Sequence, residues 1–184
     1  MKYYEVYPYQ ILRGHSGTGM SVLSLYEPTT HQNVPILIGP HEADMITLEQ
    51  EGVQARRPMT HELICTIFRE CSLELKDATI DRLEDGIFFA TLYIDDGLSV
   101  RKVDARASDV IILAMRMNVP IRLSQAILDE AGYPSDVETI VDMDTEEPQY
   151  SLEELQQMLH EAEEAEEYER ASEIMEKIKQ LNKE

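Results

Sequence analysis

Residues 73–95 read LELKDATIDRLEDGIFFATLYID, and the fold is decided here. Glu84-Asp85-Gly86 separates two runs rich in Leu, Ile, Thr, Phe and Tyr, and an Asp-Gly pair supplies the positive-φ residues of a tight hairpin. In the second run Phe88, Ala90, Leu92 and Ile94 share one face and Phe89, Thr91 and Tyr93 the other, which is the period of a strand. A hairpin is an antiparallel unit, so the surrounding sheet is expected to be mainly antiparallel.

Downstream, Asp95-Asp96-Gly97 turns the chain into a third strand over 98–104. Its apolar phase slips between Val100 and Val103, which predicts a bulge at Arg101-Lys102. Upstream, 3–12, 20–26 and 34–38 read as strands separated by turn residues. Helices are predicted over 40–51, with Pro40 in the first turn and Gly52 past the end, and over 60–71 with Thr60 as N-cap. A third, strongly apolar helix over 108–118 is assigned Ser108 as its cap and stops before Pro120; a short one follows at 124–131. The fold class is α+β: a mainly antiparallel sheet with packed helices, then a C-terminal α-helical hairpin.

That hairpin follows a shift in composition. Residues 1–133 form the predicted domain, and 134–150, rich in Pro, Asp, Glu, Ser and Thr, the predicted linker. In 151–184, Ser151 with Glu154 is a capping box, and Leu152, Leu155 and Leu159 line one helix. Tyr168, Ile174, Ile178 and Leu181 line a second. An apolar side larger than one hairpin can cover predicts docking on a protein partner or a second copy.

The chain carries a net charge of −20 over 184 residues. Residues 146–184 hold 13 acidic against 4 basic side chains, net −9, so the excess is densest in the tail but not confined to it. Bulk electrostatics therefore repel nucleic acid, and a phosphate site would need a local cluster. No apolar run approaches the roughly 20 residues that span a bilayer, and the N-terminus has no signal-peptide pattern. Cys65 and Cys71, one helix position set apart by six residues, cannot pair within that helix. The expected location is the cytoplasm, with no membrane contact.

Four stretches carry a resemblance to the bifunctional nuclease domain family. They are Pro35-Ile36-Leu37-Ile38-Gly39 with Glu42-Ala43, Arg57-Pro58-Met59-Thr60-His61-Glu62-Leu63, Asp85-Gly86-Ile87-Phe88-Phe89-Ala90, and Val103-Asp104-Ala105-Arg106-Ala107-Ser108-Asp109. The last usually reads Asp-Ala-Arg-Pro-Ser-Asp-Ala in the family; Ala107 and Val110 stand where it has Pro and the second Ala. The resemblance implies a nuclease acting on DNA or RNA. The tail around Tyr168-Glu169-Arg170-Ala171 and Ile178 to Leu181 is similar to the UVR motif, a helical hairpin that implies protein docking and a homo-oligomer or hetero-complex.

Phosphodiester hydrolysis needs an activated water and neutralised charge, most often through carboxylates holding Mg²⁺ or Mn²⁺. Glu42, Asp104 and Asp109 are the candidate metal ligands, with Glu62 beside them, and His61, Asp104 and Asp109 the candidate catalytic groups. Arg57, Arg106 and Ser108 are the candidate substrate contacts, and Asp104 to Asp109 are expected to gather near Arg57 and His61. Each also has a structural reading: Glu42, Glu62 and Asp109 fall in first helical turns, where acids complement the dipole. A non-catalytic adaptor recruiting a partner through the hairpin is the alternative function.

Overall fold

The structure, a computed structural model, describes residues 2–14, 19–53 and 55–135 together with Leu159 and Met175. The chain divides into two units, Met1–Ile140 and Val141–Glu184. In the second, Leu159 is helical and half-buried and Met175 helical and exposed. The rest of the predicted hairpin, including Leu155, Tyr168, Ile174 and Ile178, lies outside the described residues, as does nearly all of the predicted linker.

The first unit runs β1 (Tyr3–Arg13), β2 (Ser21–Glu27), β3 (Gln32–Ile38), α1 (Pro40–Gln50), α2 (Thr60–Glu70), β4 (Glu74–Glu84), β5 (Ile87–Asp95) and β6 (Val100–Arg106). It continues with α3 (Ala107–Met117), β7 (Ile121–Ser124), α4 (Gln125–Ala131) and β8 (Tyr133–Pro134). Eight strands form one sheet in the order β6-β5-β4-β7-β1-β2-β3-β8. Among the described residues the β4–β7 pair is parallel and the others are antiparallel, so the fold is α+β as expected.

β1 serves two partners. Tyr3 to Val6 pair with β7, while Tyr7 to Arg13 pair with β2 across a register shift between Pro8 and Gln10. A proline has no N–H to give a ladder, so it is tolerated where the ladder is already interrupted.

α3 explains where the core lies. Val110, Ile111, Ile112, Leu113 and Ala114 are all nearly inaccessible, so this helix is covered on every side. It packs on β4, β5 and β6 and is flanked by α1 and α2. Under it Ala78, Ile80, Ala90 and Leu92 point inward, which leaves Phe89, Thr91 and Tyr93 on the sheet face away from the helices. α1, α2 and α3 all end with a residue at positive φ, namely Gly52, Ser72 and Asn118. In each the following N–H reaches back to the last turn: Val53 to Leu48 (3.0 Å), Leu73 to Phe68 (2.8 Å) and Val119 to Ala114 (2.9 Å).

Three local expectations are corrected. Thr60 and Ser108 do not cap: α2 starts one residue and α3 two residues earlier than those caps would require, with Met59 and Arg106 in the cap position and no side-chain cap bond. Arg106 leaves β6 in extended conformation and the helix begins at once, so Ser108 is buried inside the first turn. No bulge occurs at Arg101-Lys102, since β6 pairs with β5 in unbroken register. The slipped phase reflects an outer strand with both faces open, where Val100 and Val103 are 54% and 42% exposed. The bulges lie in β4 instead, and the one between Ile80 and Arg82 aims Asp81 at the open face. There Asp81 accepts hydrogen bonds from Tyr3 Oη (2.8 Å) and Thr91 Oγ1 (2.6 Å).

β7 was not predicted, yet it lies mid-sheet with Leu123 fully buried. No described helix is long and apolar enough to cross a membrane. Leu123→Ala is expected to cost about 2–5 kcal/mol in urea unfolding, whereas Leu98→Ala, at a 94% exposed position, should stay within about 0.5 kcal/mol.

Candidate active site

The start of α3 brings together four of the residues singled out above. Arg106, at the β6–α3 junction, donates from Nη1 to Glu42 Oε1 (2.7 Å) on α1. It also donates to Asp109 on α3, from Nε to Oδ2 (2.9 Å) and from Nη2 to Oδ1 (3.1 Å), in the bidentate geometry that makes such pairs strong. Asp109 Oδ1 in turn lies 3.0 Å from His61 Nε2 on α2. The path Glu42–Arg106–Asp109–His61 thus ties α1, α2 and α3 to the end of β6.

Glu42 depends on its neighbour. A Cβ at Gly39 would stand 2.5 Å from Glu42 Oε2, so a glycine there leaves the carboxylate room to fold back over the start of α1. Glu42's own backbone N–H, and then Arg106, outweigh burial and hold its pKa below the ordinary value. Burial pushes Asp109 upward, but the hydrogen bonds from Arg106 and His61 outweigh it, and Asp109 too sits low. Asp109 is therefore an anion, the acceptor in its contact with His61.

That fixes the imidazole. With Nε2–H donating to Asp109, a neutral His61 presents a lone pair at Nδ1. Nδ1 is buried and has no hydrogen-bond partner among the described residues, and the His61 side chain is only 9% exposed. His61 lines a narrow cleft with Glu62, Arg116, Met45, Met59 and Ile112. Glu62 Oε2 is likewise buried without a hydrogen bond; the nearest cation is Arg116 Nη1 at 3.7 Å. Arg116 itself is committed to Glu49 Oε1 at 2.5 Å. Sequence reading missed this Glu49–Arg116 pair, although a lone arginine in so apolar a helix was a visible sign of a buried acid opposite.

The other candidates lie apart from this path. Asp104 is opposite Thr91 on β5 and so points to the sheet face away from the helices, with no hydrogen bond or ion pair among the described residues. It does not join Asp109 and His61. Arg57 is exposed and likewise makes no hydrogen bond or ion pair among the described residues. Ser108 is buried in the first turn of α3. As a Mg²⁺ or Mn²⁺ ligand set, Glu42, Asp104 and Asp109 do not fit: Arg106 fills the space between two of them, both Asp109 oxygens are engaged, and the third is on the far face. Among the described residues no group of three or more His, Cys, Asp or Glu is placed to hold a metal.

A buried imidazole oriented by a carboxylate, in one cleft with a carboxylate oxygen that has no hydrogen bond, can accept and release a proton. The chain belongs to the bifunctional nuclease domain family, whose model matches residues 23–136. Two similar curated proteins, both described as uncharacterized and both from Mycobacterium tuberculosis (strains CDC 1551 and H37Rv), are 41% identical over 111 residues. The match covers 60% of this chain and 66% of each relative, a little under two thirds of their length.

Glu42 and Asp109 both have folded-state pKa values below the ordinary ones, so the stability they carry is present above the carboxylate range and is lost as pH falls through the folded values. The melting temperature should hold steady from neutral pH to about pH 5 and fall below it. Asp109→Asn is expected to cost about 1–3 kcal/mol at neutral pH and to flatten that acid limb; an unchanged limb would remove Asp109 from the account.

Proposed function

We propose that this chain hydrolyses phosphodiester bonds of DNA or RNA with His61 as the proton-transfer group. The carrying observation is the buried His61 ring, tied at Nε2 to Asp109 and unpaired at Nδ1. The cleft has about 10 Å³ of interior space, roughly what one water requires. A water accepted there would give hydrogen bonds to His61 Nδ1 and to Glu62 Oε2. As its oxygen bonds to phosphorus, His61 takes the proton, the P–O bond to the leaving nucleoside breaks, and the proton passes to the leaving oxygen. Asp109 stabilises the imidazolium in between, Arg106 keeps Asp109 in place, and exposed Arg57, which makes no ion pair among the described residues, is free to meet phosphate. Every step uses side chains of this chain, and a metal delivered with the substrate would add charge neutralisation.

Cleavage of single- and double-stranded DNA and RNA, assayed with and without Mg²⁺ or Mn²⁺, tests this reading. His61→Asn should lower the rate by about 10²–10⁴-fold while the fold is kept. Asp104→Asn should leave the rate near wild type, because Asp104 lies on the other face. A reversed pattern would move the site to Asp104.

The adaptor reading is favoured by one observation, the net charge of −20, which opposes capture of a polyanion. In both readings the tail recruits a protein partner through Leu155, Leu159, Tyr168, Ile174 and Ile178. Removing residues 146–184 should leave the melting temperature of the remaining unit almost unchanged and abolish partner capture. A large loss of stability would show instead that the tail is part of the core.

A further inference from the structure

β6 is an outer edge of the sheet, with β5 on one side and no strand on the other among the described residues. Six of its seven residues are exposed. Edge strands are blunted by proline, a bulge, a very short length or charged side chains, and of these β6 has only the charges. What it has is a charge pattern. Lys102 and Asp104, two positions apart, share the face away from the helices; Lys102 lies 5.3 Å from the Tyr93 ring centre, and Asp104 has no polar partner among the described residues.

We propose that β6 pairs antiparallel with β6 of a second copy of this chain, about a two-fold axis at Val103. Such an axis stands normal to the sheet and leaves each side chain on its own face, so only residues of equal parity can lie opposite one another. Centred on Val103, the whole strand from Val100 to Arg106 overlaps its copy. Val103 meets Val103, Arg101 meets Ala105, Val100 meets Arg106, and Lys102 meets Asp104 twice. Directly opposed Cβ atoms stand about 4.5–5.5 Å apart, close enough for both charge pairs to form. Moving the axis one residue toward the N-terminus sets Lys102 on Lys102, and one residue toward the C-terminus sets Asp104 on Asp104. Charge thus selects the one register that also gives full overlap. It covers Val100 and Val103 and gives Asp104 the partner it lacks among the described residues.

Sedimentation of the full chain over a range of concentrations reads the association, with Lys102→Asp, Asp104→Lys and the double exchange run beside wild type. Each single change turns both attractive pairs repulsive and should weaken self-association roughly tenfold or more. The double exchange restores complementarity and should restore association. A monomeric wild type, singles that associate like wild type, or a double exchange that stays dissociated would each overturn the proposal. Association surviving all three variants would place the self-contact elsewhere, in the tail included.

Discussion

Arg106 is the constraint on which the rest of the site depends. Its guanidinium stands where a strand becomes a helix without an intervening loop, and its planar fork matches two carboxylates at once. One acid belongs to α1 and the other to α3, so the spacing of those helices is coupled to the rotamer of a single side chain. Asp109 then passes the constraint to α2 through His61. The imidazole is held by a carboxylate that is itself held, which is how a proton-transfer group is kept in one tautomer inside a mostly apolar helical layer.

This has an electrostatic consequence. The path holds two carboxylates and one guanidinium, so Arg106 is largely spent on its own neighbours and contributes little attraction for an incoming phosphate. That agrees with an acidic chain, and exposed Arg57 is one of the cations that make no ion pair among the described residues. A second, half-buried pair, Glu49 with Arg116, borders the same cleft, and its 2.5 Å contact leaves Glu62 without a full partner. Two buried acceptors without a hydrogen bond among the described residues, Glu62 Oε2 and His61 Nδ1, thus belong to residues that line one cleft.

Much of this was legible in the residues. The Asp-Gly turn, the alternation in 87–95 and the stripe of α3 led to the right classes of element at nearly the right places. That Arg106 and Asp109 lie near His61 was also visible from charge placed at helix starts, whereas Glu42 was not expected in that group and Arg57 and Ser108, which were, take no part in the path. Asp104 was not separable from Asp109 in that way, because only strand pleating decides which face it meets, and the expected bulge obscured the pleat. β7 escaped because Ile-Arg-Leu-Ser is too short to show a period, and its place mid-sheet comes from tertiary pairing alone. Ser108 resembled a cap because a loop was assumed before α3; the strand running straight into the helix removed the position a cap would fill.

The divided pairing of β1 bears on how the domain is made as well as on how it stands. The half of β1 that meets β2 can close a local hairpin early. The half that meets β7 must wait for a partner drawn from the opposite end of the domain, and β4 needs that same partner for its parallel ladder. Both closures have high contact order, and the second is a kind of pairing that no tight turn can nucleate. Without β7 the first three strands and the long hairpin present two unfilled edges, and its four residues fill both. The smallest interior strand is thus what joins the two halves of the sheet, and the edges it fills are the kind on which strands mispair.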